Sequence, residues 1–295
     1  MEFRSFPFLA FLSVMVVVIH ASQPDEDYWK LALPHTPMPK AIRDLLQSKG
    51  LSSVDASTAS CTVHIHFDKF SQPAGEEAQV DDSKIGNFFL ETDLHPGKKM
   101  KLNLATTTNG AVFLPHQVAE SMPFSSNKLP EILNRFSLKE NSAEAEIIKK
   151  ELEECEEPAM EGEARYCATS LQSLIHFSTS KLGRNVNVLT NEVKTGSQEY
   201  EFGVGMKRVA DKSVVCHKMN YPYAVFYCHT FTKTRTYMIP LVGADGSKAK
   251  AMAACHSDTS AWHPKHVAFK VLNVKPGTVP ICHFVHNNAM VWIPK

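Results

Sequence analysis

Val214-Val215-Cys216-His217-Lys218-Met219-Asn220-Tyr221-Pro222-Tyr223-Ala224-Val225-Phe226-Tyr227-Cys228-His229 reads as two short apolar runs around an Asn-Tyr-Pro turn signal, each run closing on a Cys-His pair. Runs of β-branched and aromatic residues punctuated by Asn and Pro predict strand, turn, strand. The device recurs at Cys255-His256 and Cys282-His283, with 10, 25 and 25 residues between successive pairs. Neighbouring side chains on a strand point to opposite faces, so each pair sends its Cys to one face and its His to the other, or the reverse. Four repeats would gather the sulfurs in one place and the imidazoles in another.

Outward from this stretch, further β-like runs follow at Val186–Leu189, Thr236–Val242, Ala249–His256, Val279–Val285 and Ala289–Ile293. Turn signals at Asp245-Gly246 and Pro276-Gly277 separate them, and direct strand-to-strand connections argue for an antiparallel sheet or sandwich. Upstream, residues 141–157 predict a helix with Asn141 and Glu144 as a capping box and Ile148, Leu152 and Cys155 on one face. A second helix carries Cys167, Leu171, Leu174, Ile175 and Leu182 and ends at Gly183. A Cys155–Cys167 disulfide across this helical hairpin is expected, against the alternative of two buried thiols. Phe88-Phe89-Leu90, the turn His95-Pro96-Gly97 and the alternation Met100, Leu102, Leu104 predict another strand, turn, strand. The expected fold class is α+β, a small disulfide-tied helical hairpin packed with a C-terminal antiparallel β-sheet or sandwich domain.

The chain has 295 residues, 31 Lys+Arg against 31 Asp+Glu and 43% hydrophobic residues, an ordinary globular balance that gives no prior for nucleic acid or membrane. Its neutrality hides a dipole. Residues 140–163 hold ten Glu and two Lys, a net of −8, and residues 206–295 hold twelve Lys+Arg and three Asp, a net of +9. The Glu run reads as a solvated helix face, and the basic region suits an acidic polymer.

Residues 1–21 read as a secretory signal peptide, with Arg4 before an apolar run from Phe6 to Ile19 that is too short to span a bilayer. No membrane anchor is therefore expected after cleavage, and the mature chain meets an oxidising compartment. Residues 22–86 divide into a leader containing Tyr28-Trp29-Lys30, with a short helix at Ala41–Gln47, and a polar spacer of linker composition over 51–86. Seven Cys cannot all pair internally, and Cys61, in the spacer, is the natural odd thiol.

Three chemistries compete for the Cys-His pairs. Disulfide-bonded Cys would leave imidazoles as metal donors, a set that suits copper. Alternatively Cys and His together make zinc sites, or the His are structural. His263, His266 and His286 offer extra donors, although surface histidines are the simpler reading, and Asp258 is placed to orient an imidazole. No Gly-x-Ser-x-Gly elbow, phosphate-binding loop, dinucleotide fingerprint or His-Glu-x-x-His motif occurs, so a hydrolase, nucleotide enzyme or zincin is unsupported.

The four spaced Cys-His pairs resemble the signature of the BURP domain, a domain of secreted plant proteins. Phe88-Phe89 with Leu94-His95-Pro96-Gly97, Asn220-Tyr221-Pro222-Tyr223, His256-Ser257-Asp258-Thr259-Ser260 and Lys275-Pro276-Gly277-Thr278 add to the likeness, which covers residues 87–295. Phe113-Leu114-Pro115 through Leu129-Pro130-Glu131 resembles the dehydration-responsive branch. The resemblance implies a secreted protein of the cell wall or apoplast, linked to dehydration, salt and hormone responses or to development, with pectic polysaccharide or wall proteins as partners. It also implies Cys216, Cys228, Cys255 and Cys282 in disulfides, and His217, His229, His256 and His283 as ligands of copper. Some members resemble copper-dependent peptide cyclases acting on a core of the Gln-Pro-x-Gly type that ends in Trp at its eighth position. Gln72-Pro73-Ala74-Gly75 begins such a core, but its eighth residue is Gln79.

Overall fold

The structure, a computed structural model, describes residues 25–46, 87–103, 110–191, 193 and 197–295. Residues 1–21, expected to be a signal peptide, Cys61, the expected spacer over 51–86 and the Gln72-Pro73 segment lie outside the described residues.

In chain order the elements are α1 (Asp25–Ala32), α2 (Lys40–Leu46), β1 (Phe88–Leu90), β2 (Lys99–Asn103), α3 (His116–Ser121), α4 (Leu129–Arg135) and α5 (Ala143–Glu156). Then come β3 (Glu163–Ala168), α6 (Leu171–Leu182), β4 (Val186–Thr190), β5 (Ser197–Phe202), β6 (Lys207–Ala210), β7 (Val214–Lys218) and β8 (Phe226–Phe231). β9 (Thr234–Gly243), β10 (Lys248–His256), α7 (Val267–Leu272), β11 (Ile281–Phe284) and β12 (Met290–Pro294) complete the chain.

The strands form two antiparallel sheets. The larger runs β1-β11-β10-β9-β5-β2, with β6 also on β9, and the smaller runs β3-β8-β7-β12-β4. The α+β class and its antiparallel sheets therefore stand. β1 and β2 do not pair with each other but form opposite edges of the larger sheet, bridged only by residues 91–98. So short a bridge requires the sheet to curl, and the rings of Phe89, Phe202 and Phe284 meet inside the curl at 5.0–5.7 Å.

The Cys155–Cys167 disulfide is formed, with Cα atoms 5.9 Å apart, but it joins α5 to a strand. Cys167 lies on β3, and the second helix begins only at Leu171 because the Ser170 side chain caps it, accepting from the N–H of Ser173. Likewise α5 begins after Ser142, which accepts from Ala145, so the cap falls one residue beyond Asn141.

The smaller sheet buries one face against α6 and the leader, where Cys216, Cys228, Phe226 and Trp292 pack with Leu174, Trp29, Leu33 and Ile42. Its other face meets the larger sheet through Val215, Val291 and Ile293 against Met252. Helices α3–α5 form a separate cluster over the β7–β8 turn, around Tyr221 and Tyr223. No helix among the described residues is long and apolar enough to cross a membrane.

Candidate metal centre

Cys216 and Cys228 sit directly opposite one another on β7 and β8, as do Cys255 and Cys282 on β10 and β11. Each pair is a disulfide with Cα atoms 3.9 Å apart. With Cys155–Cys167, six sulfurs are oxidised, which removes thiolate donors from all four Cys-His pairs and with them the zinc–thiolate reading. The sulfurs go to two places, Cys216–Cys228 into the core under α6 and Cys255–Cys282 into the curl of the larger sheet.

Strand alternation turns the histidines the other way, toward the junction of the sheets. His217 Nε2 lies 3.3 Å from His229 Nε2, and His256 Nε2 lies 3.3 Å from His283 Nε2. The imidazoles thus form two pairs, one per sheet. Phe231 stands between them, its ring 5.4 Å from that of His229 and 4.9 Å from that of His256. A cavity of about 10 Å³, lined by His229, His256, His283, Phe231 and Ser213 among others, marks this junction. That is about the space that one water molecule requires.

Burial pushes His217 and His256 well below the usual imidazole range and His283 down to about 4, and the neighbouring imidazoles add to the effect. These rings are neutral near pH 7, as a metal donor must be. Two nitrogens ~2.0 Å from one ion at a tetrahedral angle lie ~3.3 Å apart, so each pair suits two positions of a coordination shell. Among the described residues no group of three or more His, Cys, Asp or Glu gathers at metal-binding spacing. The donor set fits a metal pair by pair and does not form a preassembled four-imidazole cage.

Three of the four rings are held from behind. His229 Nδ1 lies 3.2 Å from Glu163 Oε1, His256 Nδ1 lies 3.1 Å from Thr234 Oγ1, and His283 Nδ1 lies 3.2 Å from the Phe284 carbonyl oxygen. Sequence reasoning missed Glu163, which belongs to the Glu run taken for a solvated helix face. It lies on β3, its side chain fully buried. Burial raises its pKa, but hydrogen bonds from His229, the Met160 N–H and the Tyr227 hydroxyl outweigh that and hold the carboxyl below its ordinary value. The only sequence signal was its place after Gly162, beyond the helix break at Pro158.

The other candidates stand elsewhere. His263 Nδ1 accepts from Lys265 N–H, and His266 Nδ1 caps α7 by accepting from Ala268 N–H. The His266 ring lies tilted, 4.7 Å from that of Trp262, which in turn meets His256 at 5.1 Å. His286 lies near enough to His217 and His283 to oppose their protonation. Asp258 does not orient an imidazole: it takes Lys233 Nζ at 2.8 Å and the Ser260 N–H at 3.0 Å.

Compared with known protein families, residues 87–294 match the BURP domain. The chain is 48% identical over 240 residues to "BURP domain-containing protein 3" of Oryza sativa subsp. japonica, covering 78% of this chain and 56% of that protein. It is 49% identical over 229 residues to "BURP domain protein RD22" of Arabidopsis thaliana, covering 74% and 58%. With the rice "BURP domain-containing protein 5" it shares 42% identity over 285 residues, 92% of this chain and 88% of the relative. The chain thus spans less than two thirds of the first two relatives and most of the third.

Proposed function

The chain belongs to the BURP domain family, and on that premise we propose that it is a secreted plant protein of the wall or apoplast, linked to dehydration and related stresses or to development, that binds copper through its paired imidazoles. The observation that carries the metal reading is the pair of 3.3 Å Nε2–Nε2 contacts between buried histidines whose cysteine neighbours are oxidised. His217 with His229, and His256 with His283, would hold the metal. All-imidazole donors suit copper, which supplies one-electron redox chemistry when bound. Glu163, Thr234 and the Phe284 carbonyl orient three of the rings, and Phe231 packs between His229 and His256. The basic C-terminal region, net +9 over residues 206–295, suits an acidic wall polymer such as pectic polysaccharide. Binding to de-esterified pectin should weaken as salt rises, and binding equal at low and high salt would end the electrostatic account.

A second reading, a copper-dependent peptide cyclase, draws on the same imidazoles and on the family resemblance, while Gln79 at the position expected for Trp argues against a substrate carried in this chain. Anaerobic copper titration followed by mass spectrometry in air separates the two. The binding reading expects copper uptake with no mass change. Loss of two hydrogens from the protein or an added core peptide, abolished in His217→Ala, would overturn it in favour of the cyclase. Failure to take up copper would remove the metal from both.

A further inference from the structure

We propose that Glu163 is the positioning residue of the smaller sheet's imidazole pair: its carboxylate fixes the tautomer of His229 so that Nε2 presents a lone pair toward His217. An ionised carboxylate only accepts hydrogen bonds. The 3.2 Å contact to Glu163 Oε1 therefore places the His229 proton on Nδ1. The Nε2–Nε2 contact at 3.3 Å then needs its proton from the other ring, so His217 Nε2–H donates to His229.

The larger sheet reaches the same end by a different route. The Phe284 carbonyl can only accept, so His283 carries its proton on Nδ1 and offers Nε2 as acceptor, and His256 Nε2–H donates to it. The Thr234 hydroxyl then donates to His256 Nδ1. Each pair has one ring with a lone pair ready, His229 or His283, and one that must shift its proton from Nε2 to Nδ1 before that nitrogen takes a ligand. Backbone sets the ready ring in the larger sheet. A single side chain does so in the smaller.

Glu163 is built for that task. Its Oε1 also accepts the Tyr227 hydroxyl at 3.1 Å and its Oε2 the Met160 N–H at 3.0 Å, so the carboxylate cannot turn away. Tyr227 is held in turn by the Arg165 guanidinium 4.9 Å over its ring, and its ring lies 5.1 Å from that of His229.

The inference builds on the copper reading, but its first test needs no metal. In the full chain with ¹⁵N-labelled histidine and no metal added, long-range ¹H–¹⁵N correlation spectra report which nitrogen of each ring is protonated. The expected result is Nδ1–H at both His229 and His283. In Glu163→Gln and Glu163→Ala, His229 should move toward Nε2–H while His256 and His283 keep their tautomers, which also certifies the fold. Nε2–H at His229 in the native chain, or Nδ1–H unchanged in Glu163→Ala, would overturn the proposal. A copper titration of the same variants should then show one of two imidazole pairs weakened about 10- to 100-fold, the usual cost of losing a group that orients a ligand. Equal affinity would overturn the positioning role toward metal. Absence of copper binding in the native chain would overturn the copper reading alone, since the tautomer result is read without it.

Discussion

The buried imidazoles make stability depend on pH in a way that a surface histidine would not. In the unfolded chain these rings protonate near pH 6.5, whereas in the folded protein His283 stays neutral down to about 4 and His217 and His256 are also held well below the ordinary value. Below pH 6.5 the unfolded state binds more protons, so stability is fully present above that pH and is lost as pH falls. His283 alone should forfeit about 3 kcal/mol between pH 6.5 and 4, at roughly 1.4 kcal/mol per unit. Denaturant midpoints of the metal-free protein measured across that window should fall steeply. A flat profile would mean the rings are solvated. At the same scale, Thr234→Val removes the hydroxyl that serves His256 Nδ1 and leaves a buried nitrogen unpaired. A loss of about 1–3 kcal/mol is expected from denaturant unfolding. Glu163 shows why a residue can be invisible in sequence. Among the ten Glu of residues 140–163 only its place beyond the break at Pro158 sets it apart, and the pairing of β3 with β8 is what brings it to His229.

At the scale of elements, local signals were legible and long-range ones were not. The β7–β8 hairpin could be read because both runs and their turn are contiguous, and strand alternation correctly separated Cys from His. Disulfide pairing among the four strand cysteines stayed open because it depends on which strands neighbour each other; the register Cys216↔Cys228 and Cys255↔Cys282 decides it. The same ignorance of partners left the placement of β1 and β2 on opposite sheet edges unread. The spacing of Cys167 to Leu171 and Leu174 continues the helical period by coincidence, while Cys167 itself lies on β3. The capping Ser170 was the contrary signal. The imidazoles gather at the junction of the sheets, where His229, His256 and His283 line one cavity, and the pairing into two 3.3 Å contacts follows from which strands neighbour each other. The disulfides lock these pairings. Replacing Cys216 and Cys228 together by Ala should cost about 2–5 kcal/mol in chemical denaturation, and it should broaden or double the histidine signals of that pair but not of His256 and His283.

For the whole molecule, the informative surface is the one the leader covers. By itself an eight-residue helix such as α1 is too short to persist in water, so its order must come from the domain. Trp29 is 2% exposed, donates its indole N–H to the Thr36 carbonyl and packs 5.7 Å from Trp292 on β12. Leu33 and Ile42 are buried in the same cluster as Cys216 and Cys228. Polar contacts fasten the rest. Arg184 donates to the carbonyls of Leu31 and Ala32 at the end of α1, Thr36 donates to the Val186 carbonyl, and Phe113 N–H donates to the Leu45 carbonyl. Residues 25–46 and the sheet they cover therefore share one core, although 116 residues lie between Leu46 and Glu163 at the start of that sheet, the polar spacer of 51–86 among them. A shared core predicts a shared transition. Trp29→Ala, which empties the contact with Trp292, should lower the stability of the entire chain by about 3–5 kcal/mol. The expected record is one cooperative thermal transition, shifted down and coincident by far-ultraviolet circular dichroism and by tryptophan fluorescence. A leader that was a separately ordered appendage would instead melt first, changing fluorescence while the sheet signal held at its native midpoint. Because the core under α1 also contains the Cys216–Cys228 disulfide, loosening the leader should reach the smaller sheet's imidazole pair before that of the larger, whose cysteines lie in a different core.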